Sequence, residues 1–185
     1  YLAYEGMVAD GYAEGQGILF RKDGSTVYEG QFEKSEFHGT GISYYPTGQV
    51  QYNGTFQHNV YSGTGRLFRE NGSLEYEGNF LEGMKEGEGT LYDGGNNKIY
   101  KGSFSKGNLL YTDFLGKSTA AANQMYVGPK TIYTDDTYFV VDMADIDAVY
   151  YGVQGEENLA DEVMVEGVYV LKDHFAYGTE ELTHV

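Results

Sequence analysis

Cysteine and tryptophan are absent from the 185 residues, and proline occurs only twice. Without cysteine the chain has no disulfide framework, no thiolate zinc site and no thiol nucleophile. The redox compartment stays open, because a cysteine-free chain functions in either environment. Two prolines and the missing Gly-X-Y period exclude a collagen-like chain. Basic residues are scarce: 12 Lys and Arg stand against 28 Asp and Glu, a net charge of −16. Such a surface repels phosphate backbones and anionic headgroups, so nucleic acid is excluded as a partner and contact with membrane lipid is disfavoured. No apolar run approaches the ~20 residues of a membrane-spanning helix.

Glycine is plentiful, with 27 residues, about twice the ~7% of an average protein. Tyrosine supplies 19 and phenylalanine 10. A chain this aromatic has apolar surface to bury, which argues against disorder. Its length suffices for one domain or two small ones.

The glycines and tyrosines fall on a period. Tyr4, Tyr28, Tyr52, Tyr76 and Tyr100 are spaced by 24 residues, and Gly6, Gly30, Gly54, Gly78 and Gly102 follow each by two. Two further on come Val8, Phe32, Phe56, Phe80 and Phe104. Then follow the Gly-x-Gly pairs Gly15/Gly17, Gly39/Gly41, Gly63/Gly65 and Gly87/Gly89, and an aromatic residue at Phe20, Tyr44, Phe68 and Tyr92. Gly24, Gly48, Gly72 and Asn96 close the units. A period of this length signals stacked supersecondary units.

Tyr-x-Gly-x-Phe alternates with period two, as does the segment after Gly-x-Gly, which puts Ile42 and Tyr44 on one face. Asp23-Gly24, Thr47-Gly48 and Asn71-Gly72 are turn dipeptides. A unit of 24 residues therefore reads as a β-hairpin with strands of roughly five or six residues. Its glycines would leave room for an aromatic ring from a neighbouring strand or unit to lie on bare backbone, or would merely permit strong twist. The expected fold is mainly β: an elongated antiparallel sheet of nine strands, followed by a small α+β module.

Tyr-x-Gly-x-Phe followed by Gly-x-Gly, at this spacing, resembles the MORN repeat (membrane occupation and recognition nexus). Segments such as Tyr44-Tyr45-Pro46-Thr47-Gly48 and Phe68-Arg69-Glu70-Asn71-Gly72 are similar to its bacterial variant. The resemblance covers residues 4–104, with four full units and a half unit. Tyr111 and Asp113 replace the Gly-x-Gly of the fifth copy, so the array should end there. This implies a repeat array over residues 1–110 and a second module over 111–185.

From residue 105 onward only 7 glycines remain, and 14 acids face 4 bases. Ser118 reads as the N-cap of a helix over Thr119–Tyr126, with Gly128 and Pro129 as stop signals. Strand-like runs follow at Lys130–Thr134, Thr137–Asp142, Ile146–Tyr151 and Val163–Lys172, with turns at Asp135-Asp136 and 152–161. Gly116-Lys117-Ser118-Thr119 and the helix after it are similar to β-lactamase-inhibitor-protein-like and outer-membrane assembly lipoprotein modules.

No reactive constellation stands out. His38, His58, His174 and His184 share no metal-type spacing and read as solvated turn residues. Asp142, Asp145 and Asp147 miss the calcium-loop pattern, since no glycine stands at position six and Val153 holds position twelve. Asp135-Asp136 and Glu156-Glu157 read as turn and surface charge. The Gly-x-Gly pairs lack the βαβ context of a phosphate loop, and Gly116-Lys117-Ser118 lacks its upstream glycine. Tyr45, one residue past the aromatic column, is expected to be the most exposed ring.

These observations lead us to expect a non-enzymatic repeat scaffold, without cofactor or metal, that mediates protein–protein interaction or assembly. The alternative is a surface module bound to cell-envelope polysaccharide or lipid. Tyr1 in place of an initiator Met suggests a trimmed front, and an extracytoplasmic or cell-surface address is expected over a cytoplasmic one. The sequence leaves the oligomeric state open.

Overall fold

The computed structural model describes residues 3–128 without interruption and, after them, residues 130–134, 138–143, 146, 148–153, 165, 167–170 and 183–184. It divides into two compact units, one of Tyr1–Asn97 with Phe104–Asn108, the other of Lys98–Ser103 with Leu109–Val185.

Five hairpins form the first sheet. Their strands are β1 (Ala3–Ala9), β2 (Tyr12–Phe20), β3 (Thr26–Glu33), β4 (Glu36–Tyr44), β5 (Val50–Gln57), β6 (Val60–Phe68), β7 (Leu74–Leu81), β8 (Met84–Tyr92), β9 (Lys98–Ser105) and β10 (Asn108–Leu109). They follow one another in chain order in a ten-stranded antiparallel sheet. The first nine are seven to nine residues long, not five or six. The reason is the Gly-x-Gly pair, which does not open a strand but lies inside one.

Gly15, Gly39, Gly63 and Gly87 are in the left-handed region, with φ between 57° and 65°. Each starts a two-residue bulge: Gly30 faces Gly41, yet the next residue, Gln31, faces His38. The same jump separates Gly6 from Met7 and Gly54 from Thr55. Five tight turns join the hairpin strands. Each is two residues in the left-handed region, as in Asp10-Gly11, Lys34-Ser35 and His58-Asn59, the geometry that matches strand twist. Successive hairpins are joined by five-residue loops such as Arg21–Ser25 and Arg69–Ser73, closed by backbone bonds of 2.7–2.9 Å.

The bulge brings two glycines face to face, and a tyrosine ring covers both. Tyr28 lies over Gly30 of its own strand and Gly41 of the partner strand. A Cβ on Gly30 would fall 2.5 Å from both the Gly41 Cα and the Tyr28 hydroxyl, and a Cβ on Gly41 would enter the ring. Tyr52 covers Gly54 and Gly65, Tyr76 covers Gly78 and Gly89, Tyr4 covers Gly6 and Gly17, and Tyr100 covers Gly102. The ring comes from the glycine's own hairpin, not from a neighbouring unit. Tyr28, Tyr52, Tyr76 and Tyr100 are fully buried, and Phe32, Phe56, Phe80 and Phe104 are at most 5% exposed.

In the second unit, Tyr111–Phe114 form one turn of 3-10 helix that sequence did not indicate. Helix α1 (Thr119–Met125) starts at Ser118, whose hydroxyl accepts from the Ala121 N–H at 3.3 Å. Strands β11 (Thr131–Thr134), β12 (Tyr138–Met143), β13 (Ala148–Val153), β14 (Gly167–Val170) and β15 (Thr183–His184) make a sequential antiparallel sheet. Phe114, Ala122, Tyr126, Val141, Met143 and Val168 form its buried core. The Tyr111 hydroxyl donates to the Ile146 carbonyl at 3.0 Å. The turn expected at Asp135-Asp136, the charges at Glu156-Glu157, and His174, Asp145 and Asp147 lie outside the described residues.

The two explanations of the glycines are separable by substitution. Gly41→Ala forces a Cβ into the Tyr28 ring and should cost about 2–3 kcal/mol in chemical unfolding. Gly48→Ala meets nothing within 4 Å and should cost only ~1 kcal/mol, for its positive φ. Equal costs would show that backbone freedom alone explains the pattern.

Candidate functional site

The sheet has two faces of different chemistry. One carries the tyrosine column, and its rings are engaged with one another. Tyr28 meets Phe32 of its own repeat edge-on at 5.1 Å and Phe56 of the next repeat at 5.0 Å. Tyr52 repeats this with Phe56 and Phe80, and Tyr76 with Phe80 and Phe104. Phe37 stacks on Tyr28 and Tyr61 on Tyr52, both at 3.9 Å. At the corresponding place in the fourth repeat, the Lys85 ammonium stands 5.3 Å from the Tyr76 ring centre. Edge-to-face pairs at these distances are worth about 0.5–1.5 kcal/mol each beyond the area they bury.

The column needs tyrosine because of its hydroxyl. In the first four repeats it donates to the carbonyl three residues on, where the bulge shifts the register. Tyr4 reaches Met7, Tyr28 reaches Gln31, Tyr52 reaches Thr55 and Tyr76 reaches Asn79, at 2.9–3.1 Å. The bulge thus obtains a partner for a backbone acceptor from the same ring that covers its glycines. Burial pushes the Tyr28 and Tyr76 hydroxyls up to about 12 and raises Tyr52 as well.

Between the Phe37 and Tyr61 rings lies a shallow recess of about 340 Å³, lined also by Arg21, Val27, Ser43 and Gln51. Ser43 stands where Leu19, Leu67 and Leu91 stand in the other repeats. Burial raises the Tyr61 hydroxyl and Ser43 offsets part of that shift. The contact falls outside regular hydrogen-bond geometry, and the Ser43 Oγ is sealed from solvent.

Tyr45 is not the exposed ring that its place in the sequence suggested. It begins a loop, where period-two counting ends, and it is half-buried. Its hydroxyl donates to the Phe68 carbonyl at 2.8 Å. Arg21 donates to the Tyr44 carbonyl at 2.7 Å and Arg69 to the Tyr92 carbonyl at 2.6 Å. Three residues of two types therefore fasten each repeat to a carbonyl 23 positions ahead.

The opposite face is the more open one. Directly paired residues form a row across eight strands: Glu5, Ile18, Glu29, Ile42, Asn53, Arg66, Glu77 and Thr90. Beside it lies a second row, Phe20, Tyr44, Phe68 and Tyr92, all half-buried. The Tyr44 and Tyr92 hydroxyls point to Glu29 and Glu77 at 3.5 and 3.2 Å, and burial and these carboxylates raise both hydroxyls above the usual tyrosine range. Arg66 bridges Glu77 at 2.7 Å.

His38 and His58, far apart in sequence, come together on this face with ring centres 5.7 Å apart. The His58 Nδ1 pairs with Glu36 at 2.7 Å. The His38 Nδ1 lies 3.2 Å from Glu33 without lining up for a hydrogen bond. Among the described residues no group of three or more His, Asp or Glu could hold a metal ion. No helix among them is long and apolar enough to cross a membrane.

The repeated joint of covered glycine pair, bulge and capped carbonyl defines a tandem β-hairpin repeat protein. A family model for the MORN repeat matches residues 4–26, 28–50, 52–74 and 76–97, and the chain belongs to the MORN-repeat proteins. Such repeats are commonly protein- or membrane-binding, and proteins built from them are generally non-catalytic scaffolds. No curated protein matches the chain.

The raised hydroxyls have a pH consequence. In the unfolded chain tyrosine loses its proton near 10, while Tyr28 and Tyr76 hold theirs to about 12. The native state binds more protons between those values, so the stability these two hydroxyls contribute is fully present below pH 10 and is lost as pH rises through about 12. Absorbance at 295 nm should show exposed tyrosines ionising near 10 and the column tyrosines only together with unfolding. Tyr52→Phe keeps the ring but leaves the Thr55 carbonyl without its donor, and should cost about 1–3 kcal/mol in urea unfolding.

Proposed function

We propose that this chain is a non-catalytic repeat scaffold that presents the sheet face opposite its tyrosines to another protein. The observation that supports this most is the division of labour between the faces. Rings on the tyrosine face are engaged in packing, whereas the opposite face leaves Ile18, Phe20, Ile42 and Tyr44 half-buried. A sheet of this kind offers a broad surface and not a deep pocket, and repeat proteins use such surfaces for extended interfaces. Membrane attachment is the less favoured use, because a net charge of −16 opposes anionic headgroups.

A second reading is stacking on a polysaccharide. Phe20, Tyr44, Phe68 and Tyr92 recur once per hairpin on one face, roughly 9.6 Å apart at two strand spacings, and aromatic faces stack on sugar rings. Affinity electrophoresis through gels containing soluble polysaccharides would reveal it as a retarded band.

The scaffold reading is tested with the immobilised intact chain. It should retain one protein in stoichiometric amount, and Ile42→Asp should release that protein while the circular dichroism spectrum stays unchanged. Retention of nothing, or retention indifferent to Ile42→Asp, contradicts it. Vesicles of anionic lipid should not co-sediment with the chain at physiological salt.

A further inference from the structure

The opposite face is not uniform along the array. In the third and fourth hairpins its paired row reads Asn53, Arg66, Glu77, Thr90, and the Arg66 guanidinium neutralises Glu77 at 2.7 Å. In the first two hairpins it reads Glu5, Ile18, Glu29, Ile42. There, among the described residues, no Lys or Arg bridges Glu5 or Glu29, and both are exposed. Arg21 is held in its clamp on the Thr26 and Tyr44 carbonyls. Glu14, Glu33 and Glu36 lie on the same face, but Glu14 accepts from the Lys34 N–H at 3.0 Å, Glu36 pairs with His58 at 2.7 Å and Glu33 lies 3.2 Å from His38. Among the described residues, Glu5 and Glu29 are thus the carboxylates there that face outward without such a partner.

Set among these charges are four half-buried apolar side chains. Ile18 and Phe20 lie two residues apart on β2, and Ile42 and Tyr44 two apart on β4. Along a strand that separation is about 6.7 Å, and across two strand spacings it is about 9.6 Å. On an α-helix, residues i and i+7 are separated by ~10.5 Å along the axis, and i and i+4 by ~6 Å. A helix lying across the strands, with apolar residues at i, i+3 or i+4, and i+7, would bring its stripe over the four side chains. Its flanking positions would reach Glu5 and Glu29, which demand positive charge.

We infer that the first two hairpins bind a cationic amphipathic helix of a protein partner on the face opposite the tyrosines. This rests on the scaffold reading and names the partner's chemistry. Apolar contact supplies affinity, and the carboxylates select Lys or Arg and reject acidic segments. The net charge of −16 would speed the encounter and make it sensitive to salt.

The test uses the intact chain, labelled with ¹⁵N, and a synthetic 18-residue helix of Leu and Lys with Leu at i, i+3, i+4 and i+7. Two further peptides serve as controls, one with Glu replacing every Lys and one of the same composition with the stripe scrambled. Amide shifts should cluster at Ile18, Phe20, Glu29, Ile42 and Tyr44. Glu29→Lys should weaken binding about tenfold, and Ile42→Asp should abolish it with the fold intact. Equal affinity for either control peptide overturns the inference, as do shifts centred on the tyrosine face or around Arg66 and Glu77. Indifference to Glu29→Lys, or anionic vesicles binding where the peptide does not, also overturns it. If the helix fails while an Ile42→Asp-sensitive partner is still retained by the chain, the inference falls and the scaffold reading survives. If no partner is retained at all, the scaffold reading falls first.

Discussion

A tyrosine ring lying on two facing glycines is the interaction from which the rest of the sheet follows. The ring cannot descend unless both Cβ atoms are missing, and within the hairpin Gly30 cannot face Gly41 unless a bulge shifts the register set by the turn. The bulge disturbs a backbone acceptor, and the hydroxyl of that same ring supplies its donor. Tyrosine, paired glycines and left-handed bulge glycine thus form one joint. Replacing any member leaves the others with an overlap, a gap or an unpaired carbonyl.

The joint also explains how a sheet of small residues coheres. Tyr28, Tyr52 and Tyr76 each touch the phenylalanine of their own repeat and that of the next, at 5.0–5.2 Å. The loop clamps at Arg21, Tyr45 and Arg69 add polar fastenings at the other end of the hairpins. Cohesion lies between neighbours, as in other repeat proteins. With the rings on one side occupied by packing, the other face is free to vary from repeat to repeat. Variation is what it shows: Ile18 and Ile42 give way to Asn53 and Arg66 within one paired row.

Much of this was legible in the sequence. The 24-residue spacing of Tyr4 to Tyr100, the turn residues Gly24 to Gly72 and the Ser118 cap all signal what the structure contains. Strand length was not, because a glycine in the left-handed region reads as a turn and conceals that Gly39 sits inside a strand. The inter-repeat clamp was hidden as well, since Arg21, Tyr45 and Arg69 differ in type while bonding to equivalent carbonyls. The docking row was out of reach for a related reason. Ile18, Glu29 and Ile42 stand at unequal intervals of 11 and 13 residues, and only the register set by bulges and turns aligns them. The pairing of His38 with His58 depends on the same register.

The most direct measurement of the ring-on-glycine joint is the proton NMR spectrum of the glycine α-protons. Ring currents above Gly30, Gly41, Gly54, Gly65, Gly78 and Gly89 should shift their α-protons far upfield, while Gly24 and Gly48, with nothing near them, should keep ordinary values. Ordinary values at the six would contradict the joint.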